Sequence, residues 1–214
     1  MNSLSYMAVR KGDKHMNRLI AVDAGHYYDT PGRRCLKELD ASETREWELN
    51  SRVAGHLENI LSEYDCTVLR VDDPDGKRET LINERIRTAN RANADFYISI
   101  HHDLGIGGKK GGGTVVCYAG RSAERQRQAQ ALYDEITSRT GLIGNRHEKT
   151  LLKTYYVIYR TKMPALLVEN GFMDSSTDVP IITTPGHAKN TADGIAAFLI
   201  DALKLCHKKG CCFP

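Results

Sequence analysis

The chain has no long hydrophobic run. No stretch approaches the roughly 18 apolar residues that a membrane-spanning helix needs, so stable insertion into a bilayer is not expected. The N-terminal stretch MNSLSYMAVRKGDKHMNRLIAV lacks the continuous apolar core of a signal peptide. Synthesis in the cytoplasm is therefore expected, unless a signal has been trimmed. An excess of one charge is missing too: Lys plus Arg number 30 against 27 Asp plus Glu, a scattered net charge of +3. Nucleic-acid binding would need a concentrated basic face and is not expected. The six cysteines form no C-x-x-C pair, and there is no H-E-x-x-H, repeat, linker or low-complexity segment. Cys66 and Cys117 lie in strand-like runs, where a reduced cysteine is a small hydrophobe. The tail LCHKKGCCFP reads as a poorly anchored terminus rather than a metal site.

What is present is an ordinary globular composition, 41% hydrophobic and 27% charged over 214 residues. That length suits one domain with a core large enough to stand without staples. Short β-branched runs alternate with helical-period segments. Residues 18–23, 66–71, 95–100, 114–119, 154–159 and 165–169 read as strands, with Met163-Pro164 punctuating the last turn. Segments 43–64, 79–92, 122–140 and 186–204 read as helices. The first has Ser42 as its N-cap and Trp47, Val53, Leu57, Ile60 and Leu61 near one face. Such interleaving implies a single α/β domain, a twisted, mostly parallel (mixed) sheet with helices on both faces. The apolar character of DFYISI and ALLVE marks central strands.

In such sheets, ligand sites gather outside the carboxyl ends of the strands. There the first strand delivers His26, the DFYISI strand His101 and the ALLVE strand Glu169, while the first helix offers Glu43, Glu46 or Glu48 to the same rim. Two imidazoles and a carboxylate suit a catalytic zinc with an open position, and a further glutamate can act as acid and base. Each residue also has a plainer reading. His26 can be a loop residue and the three helix glutamates a solvated face. His101 and His102, as strand neighbours, point to opposite sides, so one can be structural. A buried Glu169 is costly unless paired or functional. His15, His56, His147, His187 and His207 have no evident role.

The ordered motifs IAVDAGH, EWELN, LINERIRTAN, ADFYISIHHD and MPALLVENGF resemble those of the zinc-dependent N-acetylmuramoyl-L-alanine amidases of the amidase-3 type. These include bacterial cell-wall hydrolases and phage endolysins, and the resemblance runs over residues 18 to 203. It implies His26, Glu46 and His101 as ligands of Zn2+, Asn50 as the register mark for Glu46, and Glu169 as the catalytic residue. It also implies a catalytic domain at 18–205 between an N-terminal extension at 1–17 and a C-terminal tail at 206–214. The chain departs from the pattern at His102 and Asp103, at the loop YYDTPGRR where glycines are usual, and in having Glu43 as a rival to Glu46.

The implied reaction is hydrolysis of the amide between the lactyl group of N-acetylmuramic acid and L-alanine in peptidoglycan, by a monomer acting on the cell wall. The chain is then a phage endolysin or, if exported, an autolysin. Two rivals are a zinc peptidase cutting within the stem peptide and a wall-binding module without activity. The second requires a missing ligand, and all four motif positions are filled.

Overall fold

The computed structural model describes residues 17–145 and 147–210. His15, nearly all of the 1–17 extension and the last cysteines of the tail fall outside them. The elements are β1 (Arg18–Ala24), α1 (Glu46–Leu61), β2 (Cys66–Arg70), α2 (Ile82–Ala92), β3 (Phe96–Asp103), β4 (Thr114–Tyr118), α3 (Ala123–Thr140), β5 (Thr150–Leu152), α4 (Tyr156–Tyr159), β6 (Ala165–Phe172), α5 (Val179–Ile182) and α6 (Pro185–Leu203). The six strands form one sheet in the order β2-β1-β3-β6-β4-β5. β2, β1, β3 and β6 run parallel, and β4 is antiparallel to β6. The expected mixed sheet is what forms.

Side-chain alternation along β1 and β3 divides the core in two. Ile20, Val22, Phe96, Ile98 and Ile100 face α1, α3 and α6, and Phe96 meets Phe198 edge to face, with ring centroids 5.6 Å apart. Ala21, Tyr97 and Leu167 face the other way, onto Val157, Ile158 and Ala89 beneath α4 and α2. Leu57 and Leu61 of α1 are fully buried on the first face, where truncating one to alanine costs about 2–5 kcal/mol. Cys66 and Cys117 are buried and reduced, as their strand positions suggested.

Five local expectations need correction. The run TYYVIY is not a strand. β5 takes the sheet edge just before it, and the chain turns through α4 to reach the centre, burying Val157 and Ile158 while Tyr155, Tyr156 and Tyr159 stay exposed. Its β-propensity yields to the packing available. The first helix starts at Glu46, not near Glu43, because Glu43 has a left-handed φ of 48°. Ser42 is no N-cap; its N–H and that of Thr44 donate to Asp40 in the preceding turn (3.1 and 2.8 Å). Trp47 leaves the core face for Tyr28, 6.1 Å away between ring centroids. The start of the tail is anchored: Cys206 is buried, its N–H donates to Asp65 Oδ1 at 2.6 Å, and Lys208 N–H donates to Glu63 O at 2.8 Å.

Candidate active site

Parallel register brings three strand ends to one edge. Ala24 pairs with Ile100, and His101 lies opposite Glu169. His26 follows two residues past β1 with a φ of 68°, a left-handed conformation unusual for a residue with a Cβ. Arg85 of α2 braces that turn. Its guanidinium donates to His26 O (2.6 Å), Ala24 O (2.7 Å), Thr80 O (2.8 Å) and the carboxylate of Asp23. Asp23 also accepts from Tyr97 Oη (2.9 Å) and Ser99 Oγ (2.7 Å), so the charge under the turn is paired and fully hydrogen-bonded. Gly25 is required by space: a Cβ there would collide with the His101 ring.

The three glutamates offered by the first helix take three different places. Glu43 pairs at 3.9 Å with Arg34 on the surface. Glu48 reaches back to accept the N–H of Arg45 (2.9 Å), capping the first turn. Glu46 turns inward and is fully buried. Asn50, one turn on, holds it in place, donating to Glu46 Oε1 (3.4 Å) and Gly25 O (3.1 Å).

His101 Nδ1 donates to Glu46 Oε1 at 2.9 Å, while Glu46 Oε2 lies 3.2 Å from His26 Nε2 without a hydrogen bond. Among the described residues, His26, Glu46 and His101 are the one group of three such side chains whose ligand atoms all fall within 4.8 Å of one another. The donor set and the bare, buried Glu46 Oε2 fit a divalent cation: two imidazoles and a carboxylate come together, and one carboxylate oxygen is left without a hydrogen bond. His102 does not join them. It lies on the opposite face, buried, with Nδ1 2.8 Å from Asn50 Oδ1.

Burial and the charge of Glu46 set the electrostatics of this group. Burial pushes His26 down to about 4. Burial also opposes charge on His101, but the hydrogen bond and charge of Glu46 outweigh it and raise His101 to about 9. Glu46 is correspondingly held below the usual carboxylate range. Burial raises Glu169 to about 8, and its Oε2 is enclosed without a partner. A cavity of about 390 Å³ opens over these groups, lined also by Arg33, Thr80, Ile82 and Tyr156.

The family model described as N-acetylmuramoyl-L-alanine amidase matches residues 20–201. The chain belongs to that family. Among curated relatives, it is 28% identical to an endolysin of Bacillus phage SPP1, over 91% of this chain and 69% of that one. It is 29% identical to a sporulation-specific N-acetylmuramoyl-L-alanine amidase of Bacillus subtilis, over 87% and 68%. Among solved structures, an N-acetylmuramoyl-L-alanine amidase from Clostridium difficile 630 matches with a TM-score of 0.77 at 23% identity, covering 91% of this chain and 99% of that one. The catalytic domain of CwlV from Paenibacillus polymyxa matches at 0.76 and 22%, over 87% and 98%. These two likenesses speak for the fold. The family membership makes this amidase an enzyme of peptidoglycan.

Two site residues gave little signal in the sequence. Arg85 lies on the apolar stripe of α2 beside Ile86 and Ala89, and an arginine on a buried face is the mark that could have singled it out. Arg33 sits in an irregular loop with no period to read.

Proposed function

We propose that His26, Glu46 and His101 of this amidase hold a zinc ion, and that Glu169 moves the proton when water cleaves the lactyl–L-alanine amide of peptidoglycan. The observation that carries this reading is the convergence of the three ligand atoms around a buried Glu46 oxygen that makes no hydrogen bond. Zinc, when bound there, supplies Lewis acidity that polarises an amide carbonyl and acidifies water.

The chain's own residues do the rest. Glu46, fixed by Asn50, keeps its charge. Glu169, directly across from His101, is enclosed and short of partners. A positive charge beside it draws it to the carboxylate form, which accepts the proton of the attacking water and passes it to the departing amine. Enclosure strengthens each of these interactions by excluding water. The catalytic unit in this reading is residues 18–205 acting as a monomer on the wall, as an endolysin or an autolysin.

Glu169→Ala should lower turnover on the order of 100- to 10,000-fold with zinc content by elemental analysis unchanged, and His26→Ala should lose the metal. Digested peptidoglycan should show its new amine on L-alanine. An amine on an internal stem residue would make the chain a stem peptidase, and full activity in Glu169→Ala would remove Glu169 from the reaction.

A further inference from the structure

The cavity contains two guanidinium groups, and only one is free to meet a ligand. Arg85 is buried and occupied by Asp23 and three carbonyls. Arg33 has a side chain 41% exposed, and among the described residues its ion-pair partner is Glu46 Oε2 at 3.8 Å. That distance is too long for a hydrogen bond, and Glu46 is committed elsewhere under the proposed function. Arg33 lines the same cavity as His26, Glu46 and Glu169.

Its backbone is also fixed. Arg33 O accepts the N–H of Glu46 at 3.0 Å, and Cys35 N–H donates to Thr44 O at 2.9 Å. Arg34 bridges to Arg45 just beyond. The loop carrying Arg33 is thus laced to the start of α1, and among the described residues its guanidinium donates no hydrogen bond. A planar fork of this kind matches a carboxylate.

Glu79, Asp103 and Glu169 also line the cavity, yet among the described residues none of them forms an ion pair with Arg33, which leaves its guanidinium open to a carboxylate carried by the substrate. In peptidoglycan the second stem residue is a D-glutamate joined through its γ-carboxyl, which leaves the α-carboxyl as a free acid or an amide. That group lies at most about 7 Å from the scissile nitrogen, two residue lengths of extended chain. The metal ligand atoms fall within 4.8 Å of one another, and Arg33 is 3.8 Å from one of them, so the reach matches.

We propose that Arg33 binds the α-carboxylate of the second stem residue and makes this amidase prefer the free acid to the amide. This rests on the proposed function. The test uses the zinc-loaded full chain and two soluble substrates, N-acetylmuramoyl-L-alanyl-D-isoglutamate and its D-isoglutamine counterpart. The acid should be favoured in kcat/KM by about ten- to a hundredfold, the worth of a charge-assisted hydrogen bond, with the difference in KM. Arg33→Gln should bring the ratio near one, and Arg33→Lys should keep part of it.

Equal use of both substrates by the wild type, or an unchanged ratio in Arg33→Gln, overturns the proposal. So does an equal fall in kcat on both substrates, which would place Arg33 at the reacting carbonyl, or a loss of zinc, which would place it in the metal site. If the wild type cleaves neither substrate, the failure is that of the proposed function. The Arg33 assignment is then decided by calorimetry. L-alanyl-D-isoglutamate should bind the wild type more tightly than L-alanyl-D-isoglutamine, and Arg33→Gln should not distinguish them. The absence of that pattern sinks the assignment.

Discussion

Glu169→Gln should make the metal-free protein more stable, by an amount set by pH. Burial raises the Glu169 carboxyl to about 8 from an ordinary value of 4.5. A carboxyl raised in the folded state binds its proton there after the unfolded chain has lost it, so stability declines as pH rises. The decline starts near pH 4.5 and is complete near pH 8. At pH 7 the unfolded chain gains about 3 kcal/mol by ionising this group, a gain the folded state forgoes. Oε2 is enclosed but the residue as a whole is only partly buried, so about 1–3 kcal/mol is expected. Glutamine keeps the shape and removes the titration. The two proteins, stripped of metal with a chelator, should be unfolded in urea at pH 5 and at pH 7.5 and followed by circular dichroism. With equal m-values, the midpoint of Glu169→Gln should exceed that of wild type at pH 7.5, and the gap should nearly close at pH 5. His101 titrates in both and largely cancels. Equal midpoints at pH 7.5, or a gap indifferent to pH, would show that Glu169 is not held protonated by its surroundings.

Zinc affinity should rise by at least tenfold per pH unit between pH 6 and 8, because His101, raised to about 9, has to lose its proton to become a ligand. Competition with a chromogenic chelator measures this, and a flat profile would contradict the His101–Glu46 pairing. Arg85→Met should cost about 3–5 kcal/mol, since it leaves the Asp23 charge buried without its partner. Arg85→Lys should recover most of the melting temperature yet still bind zinc more weakly, because a lysine cannot brace both carbonyls of the His26 turn.

The fold was legible where burial leaves a strong pattern. DFYISI and ALLVE are continuous apolar runs because both faces of those strands are covered, and they do occupy the centre as β3 and β6. TYYVIY carries the same composition but lies past an edge strand, where sequence alone does not say whether a partner is available. The strand-end rule brought out His26, His101 and Glu169, since parallel neighbours must end on one edge. It could not choose among Glu43, Glu46 and Glu48. That choice depends on the left-handed turn at Glu43 and the back-bond from Glu48, three-dimensional facts that one helical period does not encode. Arg85 was hidden for a related reason: its partners are the backbone carbonyls of Ala24 and His26, 61 and 59 positions away in sequence.

The proposed metal site should be dispensable for folding even if it is indispensable for turnover. In a small zinc domain the ion replaces a core that the chain cannot build. Here two large clusters of buried apolar side chains cover the two faces of a six-stranded sheet, a core of the kind such small domains lack. The site has its own means of standing without the ion. The charge of Glu46 is met by His101 at 2.9 Å, and Arg33 stands 3.8 Å from its other oxygen. His26 stays neutral because burial holds it down to about 4. Charge at this edge is thus largely paired, and a zinc ion held there as proposed would take the place of the proton on His101. Removing zinc with a chelator at pH 7 should leave the far-ultraviolet spectrum and cooperative unfolding intact. The melting temperature should drop only by the linkage due to the free ion, RT ln(1 + [Zn]/Kd) in free energy. Loss of cooperative unfolding on chelation would mean that the ion organises β1, β3 and α1 as well as the chemistry, and the pairing of His101 with Glu46 would then be no substitute for it.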